Sequence, residues 1–170
     1  MRHLVLFRHG KAESDETDDA KRSLTLRGSF DATAAGRWLA ARSLAIDRVV
    51  VSPARRAQQT WEAAAAEMPG VPEPVSDDRV YRNTVEDLMA VIGDTPPAVT
   101  GLVLVGHNPS IQELAQTLDD GAGEAAARRS LGNGFPTSGI AVFAVDGDWA
   151  EVDSATGRLV NFAVSRAASG

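Results

Sequence analysis

The 170-residue sequence contains no cysteine. Disulfide bonds, zinc sites with thiolate ligands and enzymes that use a cysteine nucleophile are therefore excluded. Long hydrophobic runs are also missing, and the apolar run at residues 4–7 is too short for the core of a signal peptide. We therefore expect a cytoplasmic protein that has no membrane segment.

Positive charge is not in excess, because the sequence has 17 Lys and Arg residues and 23 Asp and Glu residues, and its formal net charge is -6. Such a chain has no general attraction for nucleic acid or for an anionic membrane, and we expect neither as a partner. A local cluster of basic residues would instead serve a local anion. The length suits one domain, residues 1–170, and we expect a monomer.

Three short apolar runs lie at residues 4–7, 48–51 and 102–105. They lack alternation of polar and apolar residues, which is typical of strands that are covered on both faces. A segment with helical periodicity or helix-start residues follows each run. The predicted helices cover residues 25–42, 53–68, 84–92 and 109–118. This alternation predicts an α/β fold of three layers, α/β/α, with a mostly parallel sheet.

In the first predicted helix, Leu26, Phe30, Ala34 and Trp38 recur at four-residue spacing, with Ala35 and Leu39 alongside. This spacing predicts one apolar helical face that packs on the core.

The last third of the chain has a different pattern. Residues 122–135 are rich in glycine and alanine without a clear period, and we interpret them as a loop. Residues 140–145 and 149–153 flank Asp146-Gly147, a good two-residue hairpin turn, and residues 159–164 are a further candidate strand. The sequence thus predicts an antiparallel hairpin at the C-terminal end.

Polar clusters follow all three apolar runs: Arg8-His9-Gly10, the segment 52–56, and Gly106-His107-Asn108. Ends of parallel neighbouring strands meet at one edge of a sheet, so we expect the clusters to lie together. They supply two imidazoles and at least two guanidiniums. A phosphoryl group in transfer needs several fixed donors and one in-line nucleophile, and a neutral histidine can be that nucleophile.

These segments resemble conserved motifs of a known family. The sequence is similar to the histidine phosphatase superfamily, in particular to its short SixA-type phosphohistidine phosphatases, and the resemblance implies the phosphoglycerate mutase-like fold. The likeness extends over most of the chain, through Leu24-Thr25-x-x-Gly28 and the late segment 136–140. The motifs are Arg8-His9-Gly10-Lys11-Ala12, Ser52-Pro53-x-x-Arg56-Ala57-x-Gln59-Thr60 and Gly106-His107-Asn108-Pro109.

The resemblance implies that His9 becomes phosphorylated, and that Arg8, Arg56 and His107 hold the phosphate oxygens. Arg55 is then a solvated residue at the helix start. No metal and no organic cofactor is implied. Gln59 and Thr60 are explained equally well as support for the site and as local packing. The remaining substrate-binding positions that the resemblance suggests are Gly10, Asn108 and Ser138, the last with local packing as an equal alternative.

One departure concerns the general acid. Related mutases and broad phosphatases carry a glutamate after the arginine helix, whereas Arg82 stands at the corresponding position here, in a short interval. A missing acid penalises alkoxide leaving groups, while phosphohistidine leaves as neutral imidazole and needs less help. The other candidates for an acid or a water-positioning role are Asp78, Glu86 and Glu13, each more readily interpreted as a surface carboxylate.

The sequence therefore predicts a metal-independent phosphatase that acts on phosphohistidine in proteins, for example in a histidine-containing phosphotransfer domain. Two alternatives remain open: a phosphatase of small phosphomonoesters, such as sugar or nucleotide phosphates, and an inactive phosphate-binding module. Specificity is expected to lie in the loops at residues 11–23, 71–83 and 122–135.

Overall fold

A computed structural model describes residues 1–168, and within them six strands form one sheet. The sheet order is β3-β2-β4-β1-β5-β6. All pairs among strands β1 to β4 are parallel, whereas β5 pairs antiparallel with both β1 and β6. The strands are β1 (Arg2–Arg8), β2 (Arg48–Val51), β3 (Val75–Ser76), β4 (Gly101–Gly106), β5 (Gly139–Val145) and β6 (Gly157–Val164).

Five helices cover the two faces of this sheet. Leu4 and Leu6 of β1 belong to a core on one face, and Val5 and Phe7 belong to a core on the other, because successive strand residues point in opposite directions. Helices α1 and α2 cover the second core, and α3, α4 and α5 cover the first. The predicted three-layer α/β/α fold is confirmed. The helices are α1 (Leu26–Ala40), α2 (Arg55–Ala65), α3 (Val85–Gly93), α4 (Ser110–Leu118) and α5 (Ala125–Gly132).

The segment 122–135 is not a loop, and that prediction is wrong. Its central part forms α5, whose first turn is capped by Glu124: the carboxylate accepts hydrogen bonds from the amides of Ala126 and Ala127. Ala127 and Leu131, four residues apart, are the buried positions of this helix. A helix of only two turns offers too few periodic positions to stand out in an alanine-rich sequence.

The C-terminal antiparallel pair is confirmed, but its predicted turn is wrong. The strands that pair are β5 and β6, and the predicted strand at 149–153 instead contains a short 3-10 helix, Trp149–Glu151. Trp149 is almost fully buried and donates its indole N–H to the carbonyl oxygen of Val99. Burial of this large side chain fixes the connection, so Asp146-Gly147 does not join two strands directly.

The predicted apolar face of α1 is correct for Ala35 and Leu39 but wrong for Leu26 and Phe30. Leu26 and Phe30 are 72% and 51% exposed, and the buried face contains Ala32, Ala35 and Leu39 together with glycines. The cause is the close approach of α1 to α2, since a Cβ added at Gly36 would lie 2.4 Å from the carbonyl oxygen of Ala64. Small residues therefore face the neighbouring helix, and two large apolar side chains remain on the surface.

The other helices differ from expectation only in their ends. Helix α2 begins two residues after the predicted start at Pro53, and it ends at Ala65 rather than at Met68. No helix in the described part of the chain is both long enough and apolar enough to span a membrane.

Candidate active site

The three polar clusters meet at one edge of the sheet, as their positions after the strands predicted. The amide of His9 donates to the carbonyl oxygen of Gly106 at 3.1 Å, and the amide of Ser52 donates to that of Val105 at 3.0 Å. These bonds continue the strand ladders by one residue beyond β1 and β2. The sheet itself thus holds the backbones of His9, Ser52 and His107, and the imidazole centroids of His9 and His107 lie 5.1 Å apart.

His9 is oriented as a nucleophile. Its Nδ1 atom lies 2.7 Å from the carbonyl oxygen of Gly10, which can only accept, so Nδ1 carries the proton and Nε2 keeps its lone pair. Burial lowers the pKa of His9 to about 4, and the guanidiniums of Arg56 and Arg8 act in the same direction. The ring is therefore neutral near pH 7, which a nucleophilic nitrogen requires.

His107 is held through both ring nitrogens. Nη2 of Arg56 lies 3.3 Å from Nδ1, and Nε2 lies 2.7 Å from the hydroxyl oxygen of Ser52. Because a guanidinium can only donate, Nδ1 is the acceptor and Nε2 carries the proton. Burial lowers the pKa of His107 to about 3, with further lowering by His9 and Arg56. Both imidazoles of the site are thus neutral.

Arg56 is anchored by Asp19, a residue that the sequence analysis did not identify. Nη1 donates to the backbone carbonyl oxygen of Asp19 at 2.8 Å, and Nη2 donates to its carboxylate at 3.1 Å. The same carboxylate accepts from the hydroxyl of Tyr81 and, at 3.2 Å, from Arg22. Hydrogen bonds from Tyr81, Arg22 and Arg56 hold the pKa of Asp19 well below its usual range. Asp19 is therefore a permanent anion that fixes the guanidinium of Arg56.

Tyr81 directly precedes Arg82, the position that corresponds to the glutamate acid of related enzymes. Its ring lies 5.5 Å from that of His107, edge to face, and its hydroxyl is directed at Asp19. Arg82 is exposed, with its guanidinium 5.3 Å from the Tyr81 ring. Asp78, Glu86 and Glu13 are exposed as well, and in the part of the chain that the structure describes none of their carboxylates bonds to a site residue. Among residues 1–168, the structure thus places no carboxylic acid next to the two histidines apart from ionised Asp19, and the phenol of Tyr81 is bonded to that anion.

Arg8 and Asn108 are joined by the segment that the sequence analysis interpreted as a loop. Arg8 Nη1 and Asn108 Nδ2 both donate to the carbonyl oxygen of Phe135, each at 2.9 Å. Phe135 follows α5 and is itself buried. Helix α5 and the residues after it therefore form one wall of the site and orient two of the predicted phosphate-binding side chains.

Gly10 supports the site rather than presenting its own polar atoms to it. Its amide donates to Thr60 Oγ1 at 3.0 Å, and its carbonyl accepts from His9. A Cβ at this position would lie 2.8 Å from the carbonyl oxygen of Gly28 and 3.1 Å from Ser138 Oγ. Glycine is therefore required by close packing, and the predicted contact of Gly10 with substrate stays a prediction.

Ser138 lies directly beside His9. Its amide donates to the carbonyl oxygen of His9 at 3.0 Å, and its backbone has a positive φ of 61°. The side chain is fully buried, and its hydroxyl bonds to none of the residues 1–168. A buried hydroxyl without a partner in a catalytic pocket is a candidate donor to a ligand oxygen.

Two further residues of the second motif support the first loop. Thr60 donates to the carbonyl oxygen of Arg56 at 2.6 Å while it accepts from Gly10. Gln59 accepts from the amide of Leu24 at 2.7 Å, which ties α2 to the chain segment before α1. Both residues thus connect the arginine helix to other segments around the site.

The arrangement presents two guanidiniums, two neutral imidazoles and a free hydroxyl to one small region, with the N-termini of α2 and α4 at the same edge of the sheet. Donors of this kind stabilise a phosphoryl group in transfer. Among residues 1–168, no three His, Asp or Glu side chains are grouped so that they could hold a metal ion.

Comparisons with known proteins agree with this chemistry. Residues 4–80 match a sequence model of the histidine phosphatase superfamily, branch 1. An uncharacterized protein of Mycobacterium tuberculosis is 37% identical over 162 residues, which cover 94% of this chain and 100% of that protein. A phosphohistidine phosphatase SixA homolog of Haemophilus influenzae is 30% identical over 127 residues, which cover 68% of this chain and 76% of the homolog.

Among solved structures, a protein of Nakamurella multipartitia that is provisionally assigned as phosphohistidine phosphatase SixA superposes with a TM-score of 0.85. It is 30% identical, and the match covers 96% of each chain. The Mycobacterium tuberculosis relative and the Nakamurella multipartitia structure thus match the chain over nearly its whole length. The chain therefore belongs to the histidine phosphatase superfamily, as a histidine-nucleophile phosphatase of the SixA type.

Proposed function

We propose that this phosphatase removes the phosphoryl group from phosphohistidine side chains of proteins, and that His9 Nε2 is the nucleophile. The observation that carries the proposal is the bond between His9 Nδ1 and the carbonyl oxygen of Gly10. It fixes the proton on Nδ1 and leaves Nε2 free to attack phosphorus. Burial and the two guanidiniums keep the ring neutral, so that no proton has to be removed before the attack.

The first step forms a bond between His9 Nε2 and phosphorus and breaks the phosphorus–nitrogen bond of the substrate. In this proposal Arg8 and Arg56 donate hydrogen bonds to the equatorial oxygens, where negative charge is spread in the transition state. The imidazole ring of phosphohistidine takes up one proton from solvent and departs as neutral imidazole. In the second step, water attacks the phosphorylated His9, inorganic phosphate leaves, and the free imidazole is restored.

In the part of the chain that the structure describes, no neutral carboxylic acid lies beside the histidines, and this supports a phosphoramidate substrate. Asp19 is ionised and bound to Arg56, so it has no proton to give. An alkoxide leaving group depends on such a proton, whereas the nitrogen of phosphohistidine is protonated easily. The named Haemophilus influenzae relative supports the same substrate class. Guanidiniums supply the charge compensation, and we propose that turnover needs no metal ion.

A protein substrate is supported by the surface next to the site. The amide of Thr25 is bonded to the carbonyl of Lys11, two residues after His9, so the start of α1 lies at the edge of the pocket. Leu26 and Phe30 follow on the outer surface of α1, and both are more than half exposed. Two large exposed apolar side chains on a helix that begins next to Lys11 provide a contact area for the protein that carries the phosphohistidine.

The nucleophile is tested by intact-mass detection of a phosphoenzyme after brief mixing with phosphoramidate, in buffer with a chelator. We expect an acid-labile adduct in the wild type and in a His3→Gln control, and none in His9→Gln. An adduct that persists in folded His9→Gln would refute the assignment. Loss of the adduct on metal chelation would refute metal independence alone.

The substrate class is tested with the wild type on a phosphohistidine protein, phosphoramidate, phosphoserine peptide and glucose 6-phosphate. We expect kcat/KM to be at least about 100-fold higher for the two phosphoramidates, which corresponds to about 3 kcal/mol of barrier. Equal rates on the phosphoesters would instead support a phosphatase of small metabolites.

The surface is tested with Phe30→Asp. We expect kcat/KM to fall for the phosphohistidine protein and to stay unchanged for phosphoramidate, which is too small to reach Phe30. Val75→Asp, at an exposed apolar position of the edge strand β3, is the matched control and should affect neither. An equal response of both substrates to Phe30→Asp would argue against a docking role.

A further inference from the structure

Ser52 has no part in the reaction steps described above, yet its hydroxyl lies at the back of His107. The side chain is fully buried. Its oxygen accepts from the amide of Ala54 at 3.2 Å and lies 2.7 Å from His107 Nε2. Because Arg56 donates to Nδ1 on the other side of the ring, Nε2 is the protonated atom and Ser52 is its acceptor. Ser52 thereby fixes which nitrogen of His107 is free to face Arg56 and the pocket.

This orientation conflicts with the binding of an oxyanion. A phosphoryl oxygen that bonds to Arg56 Nη2 comes close to His107 Nδ1, which holds a lone pair in the unliganded protein. Two acceptors cannot bond to each other, so His107 has to present an N–H at Nδ1 when the anion is bound. The ring could do so by losing its proton from Nε2, but that atom is buried against Ser52. Uptake of a second proton at Nδ1, which faces Arg56, leaves the bond to Ser52 intact.

We propose that oxyanion binding in this site takes up one proton onto Nδ1 of His107, and that Ser52 is the positioning residue that makes the uptake possible. The bound ring is then an imidazolium: Nε2–H donates to Ser52 Oγ, and Nδ1–H donates to the anion. The proton comes from solvent or from a singly protonated substrate, and no other bond is made or broken. The inference rests on the proposed function only in that the pocket binds an oxyanion.

The charged groups around His107 decide when the uptake occurs. In the unliganded site the ring faces His9 from β1, Arg56 from α2, Tyr81 from the segment before α3, and the anion of Asp19 behind Arg56. Burial and the guanidiniums of Arg56 and Arg8 keep the ring uncharged, and Asp19 opposes them. A bound dianion places two negative charges next to Nδ1, the ring nitrogen that is not buried against Ser52. The charge balance at Nδ1 is therefore reversed by the ligand itself.

The test needs an oxyanion whose own protonation state does not change when it binds. At about pH 8 tungstate is a monomeric dianion that does not condense into polytungstates, so any proton taken up on binding belongs to the protein. Calorimetric titrations in buffers of different ionisation enthalpy give the number of protons directly. We expect about one proton per tungstate for the wild type at about pH 8, and none for His107→Gln. We also expect the affinity of the wild type to rise by up to about tenfold for each unit of pH decrease.

Ser52→Ala and Ser52→Thr separate positioning from a structural role. Without the hydroxyl, a charged ring would have an unpaired N–H in the interior, which is costly. We therefore expect Ser52→Ala to bind tungstate at least about tenfold more weakly, with the proton uptake lost, and Ser52→Thr to restore both. In the tungstate complex of the wild type, nitrogen NMR should show both ring nitrogens of His107 protonated.

Binding of tungstate without proton uptake by the wild type would overturn this inference and leave the proposed function untouched. The same holds if Ser52→Ala keeps the full uptake, or if only one ring nitrogen of His107 is protonated in the complex. Failure of the folded wild type to bind tungstate at all would overturn both the inference and the proposed phosphate site.

Discussion

The neutral state of His9 and His107 has a consequence for stability that can be measured without a substrate. An imidazole in an unfolded chain has a pKa near 6.5, whereas burial lowers the pKa of His9 to about 4 and that of His107 to about 3. Between these values and 6.5, the unfolded chain binds more protons than the folded protein. Stability therefore rises with pH across this interval and is lost as the pH falls from 7 towards 5.

The size of the loss follows from the two shifts. At pH 5 an ordinary imidazole is almost fully protonated, while each buried ring is mostly neutral. Moving from pH 7 to pH 5 should then cost about 2 kcal/mol of unfolding free energy for each histidine, and about 4 kcal/mol for both. This is a large fraction of the roughly 5 to 15 kcal/mol that is typical of a folded domain.

Urea denaturation at pH 7 and pH 5 measures this loss in the wild type, in His9→Gln and in His107→Gln. We expect each single variant to lose about 2 kcal/mol less than the wild type between the two pH values, because one titrating group is gone. The comparison is made within each protein, so the effect of the substitution at pH 7 cancels. A His9→Gln protein that loses as much stability as the wild type would show that His9 is not held neutral, and the argument for its nucleophilicity would fail with it.

Three further outcomes follow from the site. Arg56→Ala should slow phosphoramidate turnover by about 100- to 1,000-fold in a folded protein, as measured by phosphate release, because a preorganised donor is lost; unchanged turnover would remove Arg56 from the site. Asp19→Asn should lower kcat/KM by about tenfold, because the side chain that anchors Arg56 loses its charge. Asp15→Asn, at an exposed position, is the control and should leave steady-state rates unchanged. Equal rates for both variants would refute the anchoring role of Asp19. Gly10→Ala should lower the midpoint of thermal unfolding and abolish activity, because the added Cβ would lie 2.8 Å from the carbonyl oxygen of Gly28. Gly132→Ala is the control and should not lower the midpoint, because its Cβ would have no neighbour within 4 Å. A fully active Gly10→Ala protein would contradict the packing argument.

The parts of the fold that the sequence predicted are those with local causes. Buried parallel strands need continuous apolar runs, and the residues after them must leave the sheet at its carboxyl edge. The backbones of His9 and Ser52 are fixed in this way, by ladder bonds that extend one residue past β1 and β2, and His107 follows directly after the end of β4. Their meeting was therefore predictable from three short motifs, although their catalytic roles remain predictions.

The features that the sequence did not predict depend on contacts between distant segments. The choice of the buried face of α1 depends on how closely α2 approaches at Gly36, and the spacing of Leu26 and Phe30 carries no information on that. Helix α5 is short and alanine-rich, and the cap at Glu124 is its clearest local signal. The role of Phe135 depends on a backbone carbonyl, which no side-chain pattern reveals.

Asp19 shows most clearly why a motif gives residue types but not their hydrogen-bond partners. It lies among many charged residues in the segment 11–23, and nothing in that segment distinguishes it from its neighbour Asp18. In the structure, Asp18 caps a helical turn, whereas Asp19 holds two nitrogens of Arg56, one of which also reaches His107. A planar guanidinium can serve an anchor, a histidine and a ligand oxygen at once, and a lysine ammonium cannot match that geometry. The arginine of the motif is therefore required by the protein's own contacts before any phosphate is bound.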